Sequence, residues 1–82
     1  EHNYKLLNNI EKLHFLKLPI MIGLSRKSMV YKVLETDQKN ALNGTTVLHA
    51  LCLNKGVSIL RVHDVKEAVE CIKLINFAKN HL

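Results

Sequence analysis

Two short apolar segments constrain the fold of this 82-residue chain more than any other feature. Residues 20–24 (IMIGL) carry no charge, and residues 57–62 (VSILRV) are rich in β-branched side chains. Both lengths suit β-strands, and an uncharged run suits a strand that is buried on both faces, as in a parallel sheet. The long helical pattern between the two segments predicts that the strands run parallel. The chain is therefore predicted to have an α/β fold.

Helical patterns precede and follow the first of these strands. Residues 3–16 place apolar side chains every three residues, which predicts an amphipathic helix. Helical spacing resumes over residues 29–34, and a longer helix is predicted over residues 39–54. Gly44 lies inside that helix at a cost of roughly 1 kcal/mol relative to alanine. Gly56 follows it as a typical C-terminal stop.

The last helix is predicted over residues 65–78. Asp64 is interpreted as its N-cap and not as a general base, and Glu67 completes a capping-box pattern. The order is thus helix, strand, helix, strand, helix, and two strands alone leave the edges of a sheet unpaired. We therefore expect the rest of a sheet or barrel to lie outside this chain, which begins at Glu1 and not at a methionine.

The composition disfavours two classes of partner. Twelve Lys and Arg against seven Asp and Glu give a net charge of +5, but the basic residues are scattered and are not interleaved with aromatic residues. We therefore expect no nucleic-acid partner, and anionic small molecules fit the charge better. No apolar stretch is long enough to cross a bilayer, so no membrane partner is expected.

The cysteines and histidines do not predict a metal site. Cys52 and Cys71 lie in helical segments without CxxC spacing, so we interpret them as free, partly buried thiols in a reducing, cytoplasmic setting. The histidines outside the second strand share no ligand spacing; they are His2, His14, His49 and His81.

Polar residues follow both strands at the ends where parallel α/β folds bind ligands. Ser25 and Lys27 lie two residues apart, as do Arg61 and His63, so an extended backbone would project each pair to one side. Val62 is expected to turn into the packing between the sheet and the helices.

Each of these residues has a binding interpretation and a plain structural one. Lys27 is either an anchor for a heterocycle carbonyl or a phosphate, or a solvated loop lysine. Ser28 is interpreted as a helix N-cap, a place that also suits a ligand carboxylate. Arg61 at the end of a buried strand requires solvent or an anion, and His63 beside it could donate to the same anion. The pairing of Arg61 with His63, opposite Lys27, favours an anion site.

Several motifs resemble those of the dihydropteroate synthase family. Residues 19–28 (PIMIGLSRKS) look like its strand-and-loop signature, and residues 61–65 (RVHDV) match its last-strand motif. Residues 43–45 (NGT) are similar to the Gly-Thr of the intervening helix, and residues 1–4 (EHNY) resemble the stretch after the sixth strand. The resemblance covers essentially the whole chain.

The resemblance implies a fold and an activity. Residues 1–82 would be the C-terminal part of a single pterin-binding domain: the βαβα portion, strands 7 and 8 with flanking helices, of a TIM (β/α)8 barrel, which typically needs about 250 residues. The full-length protein would be a transferase of folate biosynthesis. It would condense 6-hydroxymethyl-7,8-dihydropterin diphosphate with p-aminobenzoate to give 7,8-dihydropteroate and diphosphate, with sulfonamides competing for the p-aminobenzoate site. The 82-residue chain alone is expected to be inactive.

The resemblance also implies residue roles. Lys27 would hydrogen-bond the pterin, and Ser28 would lie near the p-aminobenzoate carboxylate. Arg61 would stack on the pterin and, with His63, hold the diphosphate, so Lys27, Arg61 and His63 are the expected catalytic residues. Mg²⁺ would be held by a protein ligand outside this chain. The full-length protein would be a homodimer that associates through its C-terminal helices, residues 65–78 here.

Two other functions remain open on the residues. The first is a related pterin-binding methyltransferase barrel, which would share the fold but not the two motifs after the strands. The second is a non-catalytic barrel remnant that binds anions. The sequence that precedes Glu1 would discriminate between them through its metal-binding and pterin-binding residues.

Overall fold

A computed structural model of the chain describes residues 2–81. These residues form two strands, four α-helices and two 3-10 helices. In chain order they are α1 (His2–Asn8), a first 3-10 helix (Ile10–Leu16), β1 (Met21–Ile22), α2 (Ser28–Tyr31), a second 3-10 helix (Gln38–Asn40), α3 (Leu42–Asn54), β2 (Ile59–Leu60) and α4 (Val65–His81).

The two strands pair in parallel, which confirms the predicted α/β arrangement. Met21 lies opposite Ile59, and Ile22 lies opposite Leu60. The Arg61 N–H donates to the carbonyl of Ile22 at 2.9 Å just past the paired residues. Both strands are shorter than the apolar runs that predicted them, because each has a single neighbouring strand within residues 2–81.

The N-terminal segment is not the single α-helix that was predicted over residues 3–16. It breaks at Asn9, whose side-chain amide donates to the carbonyl of Lys5 at 2.7 Å. The chain then continues as a 3-10 helix, in which side chains three residues apart align. Of the apolar residues spaced by three, Leu7 at the end of α1 and Ile10 at the start of the 3-10 helix are buried, whereas Leu13 is exposed.

The core lies where the sheet, the N-terminal helices and α3 meet. Its buried members are Leu7, Ile10, Leu24, Val30, Ala41, Cys52 and Val57. Burial raises the pKa of the Cys52 thiol to about 11. Both cysteines are free and buried, which confirms the thiol prediction.

Gly44 allows α2 and α3 to approach closely. A Cβ at this position would lie 2.7 Å from Val30 Cγ1 and 2.8 Å from Leu34 Cδ1. Gly44 is unfavourable for the helix propensity of α3, but the close packing of the two helices requires it.

The last helix, α4, packs against α3 and buries Ala68 and Cys71. It begins at the predicted residue, and the Asp64 carbonyl directly before it accepts from the Ala68 N–H at 3.1 Å. The side chain of Asp64, however, does not form the predicted capping box. Both carboxylate oxygens of Asp64 accept hydrogen bonds from the side chain of Arg26, in the loop after β1. Within residues 2–81, no backbone N–H donates to them. None of the helices that the structure describes is long and apolar enough to cross a membrane.

Candidate anion-binding cleft

The register of the two strands continues past their ends as contacts between side chains. Paired residues of β1 and β2 are 38 positions apart, and Ser25 contacts His63 with the same separation of 38. Arg26 contacts Asp64 with that separation as well. The loop after β1 is therefore joined to the loop after β2 residue by residue.

Ser25 holds His63 by two contacts. The Ser25 side chain is buried, and its Oγ lies 2.9 Å from His63 Nδ1. The main-chain N–H of His63 donates to the same Oγ at 3.3 Å. Oγ accepts that N–H, and its own proton is free to be donated to Nδ1; in the tautomer that this arrangement favours, Nε2 carries the proton. His63 can thus offer an N–H to an anion.

Arg26 was not singled out by sequence reasoning, yet it is the most connected side chain at this end of the sheet. Its Nε donates to Asp64 Oδ2 at 2.8 Å, and its Nη2 donates to Asp64 Oδ1 at 3.0 Å. Its Nη1 donates to the carbonyls of Gln38 and Lys39 at 2.9 and 3.2 Å. The hydrogen bonds from Arg26 to Asp64 lower the pKa of the Asp64 carboxyl below its usual value. Opposite charges at register-matched positions were the signal that could have revealed the pair.

The loop after β1 was expected to remain extended, but it turns. The Lys27 N–H donates to the carbonyl of Leu24 at 3.1 Å, and Arg26 has a left-handed backbone with φ of 54°. Ser25 is therefore buried while Lys27 is exposed. Lys27 also takes the N-cap position of α2, where Ser28 was expected, and Ser28 is the first residue of that helix.

Arg61 lies directly over Gly23. A Cβ at Gly23 would be 3.1 Å from Arg61 Nε and 3.3 Å from Nη2, so the absence of a side chain makes room for the guanidinium. The ion pairs within residues 2–81 join Arg26 to Asp64 and Lys55 to Glu11. In this part of the chain Lys27 and Arg61 therefore have no carboxylate partner.

An open cleft of about 600 Å³ is lined by the four predicted residues Lys27, Ser28, Arg61 and His63. Val62 is half-buried and also lines the cleft, so it does not turn wholly into the packing as expected. The other residues that line the cleft are Gly23, Ser25, Arg26, Tyr31 and Gln38. Sequence reasoning missed Tyr31 and Gln38, because neither belongs to the segments that follow the strands.

The cleft suits an anion and does not suit a metal ion. Among residues 2–81, its lining contains two cations without a carboxylate partner and no carboxylate, whereas Mg²⁺ prefers carboxylate and other oxygen ligands. Within residues 2–81, no group of three or more His, Cys, Asp or Glu side chains is placed to hold a metal.

Comparisons with known proteins identify the family of the chain. The family model described as pterin binding enzyme matches residues 1–63. The chain is 38% identical over 74 residues to dihydropteroate synthase of Escherichia coli K12, covering 90% of this chain and 26% of that protein. It is also 38% identical over 76 residues to the bifunctional dihydropteroate synthase/dihydropteroate reductase of Helicobacter pylori, covering 90% of this chain and 20% of that protein.

Solved structures of dihydropteroate synthases are also similar to this chain. The Yersinia pestis dihydropteroate synthase with a pterine-sulfa conjugate matches with a TM-score of 0.94 at 36% identity, over 99% of this chain and 32% of that one. The Vibrio fischeri enzyme matches with a TM-score of 0.90 at 37% identity, over 95% of this chain and 29% of that one. These relatives are TIM-barrel enzymes. The chain spans about a quarter of the E. coli relative, and it belongs to the pterin-binding enzymes, as a segment similar to dihydropteroate synthase.

Proposed function

We propose that this chain is the C-terminal part of a dihydropteroate synthase. The full-length enzyme condenses 6-hydroxymethyl-7,8-dihydropterin diphosphate with p-aminobenzoate and releases diphosphate. One observation carries the proposal: Lys27 and Arg61, without carboxylate partners in the described residues, line one cleft with His63. Cations at the carboxyl ends of parallel strands suit a substrate whose leaving group is a polyanion.

We assign the two strands to positions 7 and 8 of the barrel, within a single domain. Met21 and Ile59 are register partners, yet they are 59% and 48% exposed. The other strands of a barrel would cover these side chains and the edges of the sheet. The chain covers about a quarter to a third of the relatives, which suits two of the eight strands of a barrel.

In the reaction we expect the residues of the cleft to bind and to stabilise charge. The planar guanidinium of Arg61 can donate two parallel hydrogen bonds to the diphosphate, and His63, held by Ser25, donates another. Lys27 contacts the pterin, and Ser28 lies near the carboxylate of p-aminobenzoate. The described residues that line the cleft include no carboxylate, and the cations among them suit a role in favouring the departing negative charge before the amine attacks.

We place the Mg²⁺ ligands outside residues 2–81, because the lining of the cleft lacks a carboxylate. When bound, Mg²⁺ would offset charge on the diphosphate. We also expect a cytoplasmic homodimer that associates through α4. The exposed apolar side chains of that helix support this arrangement: Val65 is 64% exposed, Leu74 is 71% and Phe77 is 64%.

Kinetics of the full-length enzyme test the site. We expect Lys27→Ala and Arg61→Ala each to lower kcat/KM by about 10²–10³-fold, because each removes a charge that stabilises the transition state. Inorganic diphosphate should inhibit Arg61→Ala much more weakly than it inhibits the wild-type enzyme. Lys32→Ala is the control, since Lys32 is exposed and does not line the cleft. Wild-type kcat/KM in either cleft variant would refute the site.

A wild-type full-length protein that binds diphosphate but forms no dihydropteroate would instead be the anion-binding remnant. The motifs after both strands and the named relatives favour the synthase over that outcome.

A further inference from the structure

Arg26 connects three segments that surround the cleft. Its guanidinium binds Asp64 in the loop before α4 and the carbonyls of Gln38 and Lys39 in the second 3-10 helix. Its main-chain N–H donates to Thr45 Oγ1 of α3 at 3.0 Å. One residue thus fixes where the loop after β1 lies relative to its neighbours.

We propose that the Arg26–Asp64 ion pair is a positioning pair for the anion site. It sets the separation of the loop that carries Lys27 from the loop that carries His63, so that both residues reach the same diphosphate. Arg26 itself is not a substrate ligand. This inference rests on the proposed function and adds to it a residue pair that acts through its neighbours.

The hydrogen bonds of Arg26 leave few N–H groups of its guanidinium free to bind a substrate. All three guanidinium nitrogens donate to protein acceptors, and the contact with Asp64 is bidentate, which fixes orientation as well as distance. The two side chains are only 21% and 24% exposed. Lys27, the next residue along the chain, is exposed and has no such partner within residues 2–81.

The left-handed backbone of Arg26 also requires support from its surroundings. A non-glycine residue at φ of 54° is held at a cost of about 1–2 kcal/mol. The hydrogen bond from its N–H to Thr45 and the side-chain contacts hold the residue in place. Loss of the ion pair would let the loop relax and move Lys27 away from Arg61 and His63.

Charge alone makes a different prediction, so the two explanations can be separated. Asp64 lies next to His63, and its negative charge opposes a bound diphosphate unless Arg26 compensates it. If only charge mattered, Arg26→Gln would weaken diphosphate binding, Asp64→Asn would strengthen it, and the double variant would resemble the wild type. If positioning matters, all three variants bind diphosphate more weakly.

The test uses the full-length enzyme with the double variant Arg26→Gln/Asp64→Asn, which keeps the net charge. We expect its inhibition constant for inorganic diphosphate and its KM for the pterin diphosphate to rise on the order of 10-fold, because displacing binding groups by about 1 Å is costly. Its kcat should change less. The single variants should be non-additive, since the two residues form one contact. Wild-type values for both constants in the double variant would overturn the proposal.

The matched control is the second ion pair of the described residues, Lys55–Glu11, with Nζ and Oε2 at 3.1 Å and away from the cleft. Glu11→Gln/Lys55→Gln should leave both constants unchanged. An equal rise in that control would mean that any lost ion pair weakens binding, which would also overturn the proposal.

A double variant that does not fold is replaced by Arg26→Lys. Lysine keeps the charge but not the bidentate contact, so we expect an intermediate rise in both constants, and wild-type constants would refute positioning. Isothermal titration with inorganic diphosphate measures the same affinity without turnover. Failure of the synthase proposal would appear as no activity in the wild-type protein, whereas failure of the positioning pair would appear as unchanged diphosphate affinity.

Discussion

His49 is a buried histidine on α3 that lies outside the cleft. It is 2% exposed, and its Nε2 has no hydrogen-bond partner within the described residues. Burial lowers its pKa below the usual 6.5, because the charged form would lose hydration. Burial therefore favours the neutral imidazole in the folded protein.

We expect His49 to make the full-length protein less stable as the pH falls from about 7 to about 5. In that range the unfolded state takes up a proton on this residue more readily than the folded state does, so the free energy of unfolding decreases. His49→Leu should reduce this pH dependence and raise stability by roughly 1–3 kcal/mol, because it removes an unpaired buried polar atom.

Urea unfolding at both pH values measures the effect of His49. The control is His2→Gln, since His2 is exposed and should leave the pH dependence unchanged. An unaltered pH dependence in His49→Leu would contradict the explanation.

At the scale of elements, Gly44 shows packing and helix propensity acting in opposite directions. Alanine in a helix interior is favoured over glycine by about 1 kcal/mol. The Cβ of alanine would however lie 2.7 Å from Val30 Cγ1, a side chain that is buried in the core.

Gly44→Ala should therefore destabilise the full-length protein, by roughly 1–3 kcal/mol, because overpacking outweighs the gain in propensity. Val30→Ala in the same protein should recover part of the loss, since it removes the overlapping methyl groups. Asn43→Ala, at the exposed neighbouring position of α3, is the control. Thermal unfolding measures all three, and a Tm for Gly44→Ala above the wild type would contradict the packing argument.

At the scale of the whole molecule, the described residues leave many large apolar side chains exposed. Large apolar side chains are exposed on the sheet and on several helices, including Met21, Leu18, Phe15, Leu74 and Phe77. Both strands also have an edge without a partner among the described residues. An α/β sheet is usually covered on both faces.

The isolated 82-residue chain should therefore form no dihydropteroate and should self-associate. Only two strands are present in the described part, and exposed apolar faces favour association. Sedimentation analysis and a synthase assay measure the two properties, with the full-length enzyme as reference. A monomeric chain that unfolds cooperatively would contradict the expected self-association, and product formation would contradict the expected inactivity.

Much of this architecture could be predicted from local sequence. The apolar runs located β1 and β2, and the helical pattern of residues 39–54 anticipated α3, observed at Leu42–Asn54. Lys27 and Arg61 were expected to meet, because the carboxyl ends of parallel strands lie at one edge of a sheet. The break at Asn9 was missed, since a three-residue apolar spacing is compatible with either an α-helix or a 3-10 helix.

The sequence by itself determined the parallel strand pair, the long helices α3 and α4 and the family, because periodicity and short motifs are encoded by neighbouring residues. The tertiary structure alone decided the partners: Asp64 binds Arg26 instead of capping α4, and Ser25 holds His63. These contacts join residues 38 positions apart. Such pairs depend on the register of the sheet and on competition among acceptors, which form only when the chain has folded.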